Sequence, residues 1–138
     1  MRLFCLQLIL CWEVFMTTNA NEHSMEAVEK QQTQTPQYLY KVLSLENWQQ
    51  SQAQNIVILT KDDEVFIHLA TEDQLDRIID KYWSQAPHYV ILKIDPTQLP
   101  GQLIYEANPG GTNKYFHLYH GSIPRKAVVN AQTVNAKK

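Results

Sequence analysis

Apolar and polar positions alternate in short bursts along most of this chain, and one stretch changes to a helical period. Tyr38-Leu39-Tyr40-Lys41-Val42-Leu43 is rich in strand formers and predicts the first strand. Ser44 then offers an N-cap, with Glu46 in the first turn of a short helix through Gln52 and Trp48 as its anchor to the core. Asn55 to Leu59 reads as a brief extended segment, Lys61-Asp62-Asp63-Glu64 as an exposed turn, and Val65 to Leu69 as a strand. Thr71-Glu72-Asp73-Gln74 is a capping box. Leu75, Ile78, Ile79, Tyr82 and Trp83 follow on one helical face, a stripe expected in the core. His88 to Asp95 is a strand with a nearly continuous apolar run, expected to be central. Gln102 to Glu106, Tyr115 to Tyr119 and Ala127 to Val129 complete the strands, with a loop over Asn108 to Asn113. One long and one short helix among many strands predict an α+β fold, the long helix packed on a small mixed or antiparallel sheet.

The ends of the chain read differently. Arg2, the apolar run from Leu3 and the small residues ending at Ala20 fit a secretory signal peptide over 1–20. Glu13 within that run fits equally a translation start at Met16 or Met25. The protein is exported on the first reading and cytoplasmic on the second. No stable membrane span is expected, because the run is short and interrupted by Gln7 and Glu13. Residues 21–37 are polar and read as a linker, 38–130 as a single globular domain, and 131–138 as a polar tail. Both cysteines, Cys5 and Cys11, precede the domain, which therefore has no disulfide, thiol nucleophile or cysteine-based metal site. A net charge of -2 argues against long nucleic acids as partners and leaves room for a small-molecule ligand.

The candidate chemistry centres on histidines set among aromatics. Phe66 and His68 share a face of one predicted strand, and His117 and Tyr119 share a face of another. Such a face is a satisfied core position or the wall of a pocket. His68 is delivered straight into the start of a capped helix, whose free N–H groups suit a phosphate. Glu106 ends a strand, where a carboxylate beside imidazoles can act as a base or stabilise a cationic transition state; alone, it reads as an exposed Glu. His68, His117 and His120, joined by His88 or Glu106, make a metal site a minority reading, because His117 and His120 fall on opposite strand faces. There is no nucleophile elbow and no phosphate-binding glycine loop.

Taken together, Tyr40-Lys41-Val42, Trp48, Phe66-Ile67-His68-Leu69-Ala70, the helix after it, Glu106, Phe116-His117-Leu118-Tyr119 and Ala127-Val128 resemble the bacterial family catalogued as domain of unknown function 952. The resemblance covers about residues 38–130. Val65 stands where the family often has Gly, Tyr115-Phe116 where it often has Phe-Pro, and His120 is inserted before Gly121. The family's fold is considered similar to ADP-ribosyltransferases. The resemblance thus implies an α+β fold with a cleft between two small sheets, and NAD or a related nucleotide-like phosphate ester as substrate or ligand. It implies a ribose-binding role for His68 and a later polar role for Glu106 or His117. Tyr119 or Phe116 would stack on the ligand, with Phe66 and Thr71 nearby. Leu69 departs from the His-Gly pair usual in that fold. The expected function is to bind or transform NAD or a nucleotide-like phosphate ester in a cleft carrying His68, Glu106 and His117, a transferase or glycohydrolase being the enzymatic form of that reading. The alternatives are a non-catalytic module that keeps the pocket without the chemistry, and a histidine-based metal-binding protein.

Overall fold

The computed structural model describes residues 34–136. The signal-like segment with both cysteines, the linker up to residue 33 and the last two residues lie outside the described residues. The elements are β1 (Leu39–Leu43), α1 (Leu45–Ser51), β2 (Ile67–Leu69), α2 (Leu75–Tyr82), β3 (His88–Ile94), β4 (Gln102–Ala107), β5 (Lys114–Tyr119) and β6 (Val128–Asn135). They form two three-stranded sheets, in the orders β1-β3-β6 and β2-β5-β4. Every strand pairing within them is antiparallel. The architecture is therefore α+β, with β3 central as its apolar run predicts.

The core lies between the sheets. Leu39, Leu43, Val90, Leu92 and Ile94 come from the first sheet, and Ile67, Leu69, Phe116 and Leu118 from the second. Register explains the selection. Leu39 pairs with Ile94 and Leu43 with Val90, so these apolar side chains share one face. Trp48 packs against this core from α1, whose N-cap Ser44 accepts the Asn47 N–H at 3.1 Å. The Ser51 hydroxyl is fully buried and satisfied. It donates to the Asn47 carbonyl at 2.6 Å and accepts the Ile58 N–H at 2.8 Å.

The sheets meet at one point. Tyr40 and Ala70 exchange both backbone hydrogen bonds, at 2.8 and 2.9 Å. Beyond this bridge no strand pairing joins β1 to β2. At the far end of the second sheet, Gly101 has φ +106°, and a Cβ there would lie 2.5 Å from the Tyr119 carbonyl oxygen. A Cβ on Gly121 would lie 2.1 Å from the Pro100 carbonyl oxygen. Glycine at both positions lets the entry to β4 press against the turn after β5.

Three expectations need correction. The helical stripe is not core: no residue of α2 is buried, and Tyr82 is 65% exposed. The helix is also shorter than expected. It opens as a 3-10 turn over Glu72–Gln74, leaving eight residues of α-helix against seven in α1. Third, the polar stretch after 130 is strand as far as Asn135, paired with β3 from Leu92↔Ala131 to His88↔Asn135. Polarity misleads there because an edge strand can leave its side chains in water while its backbone completes a ladder.

Candidate functional site

The β2–β5 register places His68 directly opposite His117 and Ile67 opposite Leu118. One face of the second sheet thus carries His68, His117 and Tyr119, and the other carries Ile67, Leu69, Phe116 and Leu118. The β4–β5 register adds Glu106 to the histidine face, across from Tyr115. Phe66 completes it. Its ring stacks on His117 with centroids 4.0 Å apart and lies 4.9 Å from His68 and 5.2 Å from Tyr119.

Two polar networks grow from this face. The first converges on a single oxygen. Asp63 Oδ1 accepts from Lys41 Nζ at 2.6 Å and from the His68 backbone N–H at 3.1 Å, and lies 3.2 Å from His68 Nδ1. The Asp63 and Lys41 side chains are only 5% and 11% exposed, whereas that of His68 is 40% exposed. Burial alone would raise the Asp63 carboxyl, but the His68 ring and the Lys41 ammonium together hold it below its usual range. Burial pushes the Lys41 ammonium down, with the Asp63 charge opposing it.

The second network closes around His117, which is fully buried. Its Nδ1 lies 2.9 Å from Glu106 Oε1 and its Nε2 lies 2.9 Å from the Asn108 side-chain amide. The Tyr119 hydroxyl donates to the same Glu106 oxygen. The bonds from Tyr119 and His117 hold the Glu106 carboxyl below its usual range, and the Glu106 carboxylate in turn raises the Tyr119 hydroxyl.

A cleft of about 650 Å³ lies between β1, the end of β2 and α2. Its polar lining includes Lys41, Asp63, His68, Asn108 and Tyr115, beside Ser44, Asn47, Thr60 and Asp62. Its apolar wall includes Val42, Leu59 and three residues of the α2 stripe, Ile78, Tyr82 and Trp83. Arg77 on α2 donates to the Tyr115 hydroxyl at 2.8 Å, and the Gln74 side chain to the Lys114 carbonyl at 2.8 Å. These bonds fix the helix to β5 by its polar side and leave its apolar side to the cleft.

The expected site residues separate accordingly. His68 lines the cleft. Glu106, His117, Tyr119 and Phe66 come together on the same sheet face, but behind the cleft lining. Phe116, a candidate for stacking on a ligand, is on the opposite face and in the core, because neighbours along a strand point to opposite sides. Thr71 acts at the start of the helix. Its N–H donates to Gln74 Oε1 at 3.0 Å and its hydroxyl donates to Asp73. His120 is exposed, with φ 51° in the turn after β5. Among the described residues no three histidine, cysteine, aspartate or glutamate side chains gather in a group able to hold a metal ion.

Sequence reasoning missed Asp63, Lys41 and Asn108. Lys41 carried a signal: it sits between Leu39 and Leu43 on the alternating face of β1, so its ammonium starts from the apolar side. Asp63 carried none, being one acid in an acidic turn.

The family model described as "Protein of unknown function (DUF952)" matches residues 42–131. The chain belongs to the DUF952 family. The DUF952 region contains every site residue named above except Lys41, which precedes it by one position. The crystal structure of protein CC0527 from Caulobacter crescentus is similar. It is 27% identical, with a TM-score of 0.61, over 72% of this chain and 88% of that one. The solution structure of the same protein gives 27% identity and a TM-score of 0.61 over 74% and 88%. No curated protein matches the chain significantly.

Proposed function

We propose that the cleft between β1, β2 and α2 binds NAD or a nucleotide-like phosphate ester, in a fold of ADP-ribosyltransferase type. The observation that supports this reading is the placement of His68. Its side chain opens into a cleft of about 650 Å³, with the Asp63–Lys41 pair behind it and an apolar wall opposite. A cavity of this size with a few converging polar groups on a mostly apolar lining is what a small organic ligand requires.

The non-catalytic alternative has its own support. Catalysis through Glu106 and His117 needs groups that reach the ligand. His117 is fully buried beneath the Phe66 ring, and Glu106 Oε1 is already shared by Tyr119 and His117. On this second reading the Glu106 network is scaffold for the cleft, and binding occurs without turnover.

The test is a thermal-shift titration of the full chain with NAD, ADP-ribose and nicotinamide, beside His68→Ala. A ligand at 100 times its Kd adds about 2.7 kcal/mol of stability. The expected result is a raised melting temperature with NAD or ADP-ribose that is lost in His68→Ala. No shift with any of the three would reject the proposal. Nicotinamide release by the wild-type protein, lost in Glu106→Gln, selects the enzymatic reading; binding without release selects the module.

A further inference from the structure

We infer that Asp63, held in place by Lys41, is the positioning residue for His68, fixing the proton of the neutral ring on Nδ1 and turning the bare Nε2 lone pair toward the cleft. Lys41 Nζ, 2.6 Å from Asp63 Oδ1, is a donor. The His68 backbone N–H, 3.1 Å from the same oxygen, is a donor as well. A carboxylate receiving both has no proton to give. His68 Nδ1, 3.2 Å from that oxygen, must therefore supply the hydrogen of the third bond. A neutral imidazole with its proton on Nδ1 is an acceptor at Nε2. Nε2 has no hydrogen-bond partner among the described residues, and His68 lines the cleft. The backbone reinforces the arrangement. β2 is an edge strand, and Asp63 caps its outward N–H at His68, just before Ala70 continues the edge onto Tyr40. The carboxylate thus grips the main chain and the ring of one residue with one oxygen.

The consequence concerns the chemistry of the ligand and rests on the cleft reading above. A bare Nε2 accepts an O–H or N–H hydrogen. It offers nothing to an ionised phosphate oxygen, which is itself an acceptor. The group of the ligand that meets His68 is therefore a hydroxyl or an N–H donor, and any phosphate lies elsewhere in the cleft. The same lone pair can take up that proton, because the imidazolium formed would remain paired with Asp63.

The experiment is a two-bond proton–nitrogen NMR correlation of the His68 ring in the full-length protein, at a pH where the spectrum shows the ring neutral. The expected pattern is a pyrrole-like Nδ1 and a pyridine-like Nε2. The reverse pattern in the wild type overturns the inference. The Lys41→Met/Asp63→Leu double variant removes both buried charges together, so that neither is left unpaired. In it the ring is expected to shift toward the Nε2–H tautomer. An unchanged pattern in the folded double variant overturns the role of Asp63. Inorganic phosphate is expected to leave the wild-type Nε2 resonance in place. Its movement to a pyrrole-like position would mean an anion site and overturn the inference. None of these readouts depends on the NAD titration, so either result can fail alone.

Discussion

At the scale of single residues, the weight falls on a buried charge pair that sequence pattern alone does not reveal. Asp63 is the only carboxylate within hydrogen-bond distance of the Lys41 ammonium among the described residues. Removing it leaves Lys41 uncompensated, a loss that typically costs about 3–5 kcal/mol. Asp63→Asn is therefore expected to lower the urea midpoint sharply at pH 7. The pH dependence has a definite sign. The folded carboxyls of Asp63 and Glu106 both lie below their usual range. Their stabilisation is present above about pH 4, the unfolded value, and is lost as pH falls through the lower folded values. The gap between wild type and Asp63→Asn should thus narrow on acidification, and urea melts at pH 7 and pH 3 would show it. A gap of equal size at both would count against the pair. Glu106→Gln has a separate signature. The Tyr119 hydroxyl, raised by the Glu106 carboxylate, should titrate nearer the ordinary tyrosine value of about 10, as read from its ring carbon by NMR. The histidines themselves were legible, because polar rings among strand-forming aromatics demand partners. What those partners are depends on tertiary contacts: Asp63 meets Lys41 across 22 residues of chain.

At the scale of elements, the amphipathic helix shows where pattern reasoning stops. The period of Leu75, Ile78, Ile79, Tyr82 and Trp83 correctly marks a helix, and the capping residues Thr71 and Gln74 mark its start. The period says that one face is apolar, not what that face meets. In the folded protein, Ile78, Tyr82 and Trp83 line the cleft, and the buried core is completed without them. The strands were more legible because a period of two, read with apolar content, also ranks burial: β3, the most apolar run, is central. The difference has a measurable consequence. Ile78→Ser on the cleft wall should cost less than about 1 kcal/mol, while Leu92→Ala in the core should cost about 2–5 kcal/mol. Urea midpoints of the two variants make the comparison. In the ligand titration, Ile78→Ser should weaken the thermal shift while the protein without ligand melts nearly as the wild type does. A loss of stability matching that of Leu92→Ala would return the stripe to the core.

For the whole molecule, the decisive feature is how two small sheets become one core. Each sheet has three strands, and neither buries its apolar face alone. The pairing of Tyr40 with Ala70 and the packing of Leu39, Leu43, Val90 and Leu92 against Ile67, Leu69, Phe116 and Leu118 make them a unit. The first sheet is completed by β6, whose sequence, Val-Val-Asn-Ala-Gln-Thr-Val-Asn, looks too polar for its place. Its contribution is made by the backbone. Ending the chain after Asn130 would strip Ala131 to Asn135 from β3 and remove several ladder hydrogen bonds, each worth about 0.5–1.5 kcal/mol net. It would also convert β3 from a central strand to an exposed edge carrying Tyr89, Val90, Ile91 and Leu92, a template for pairing with another chain. The expected outcome is an unfolding free energy from urea melts lowered by a few kcal/mol, and a rise in light scattering at concentrations where the full chain stays monodisperse. The site should follow, because β3 holds β1 in register and β1 carries Lys41. Without Lys41 in place, Asp63 loses its nearest donor and the hold on His68 loosens. A truncated protein that melts with the full chain and keeps its His68 spectrum would show that the site stands on the second sheet alone.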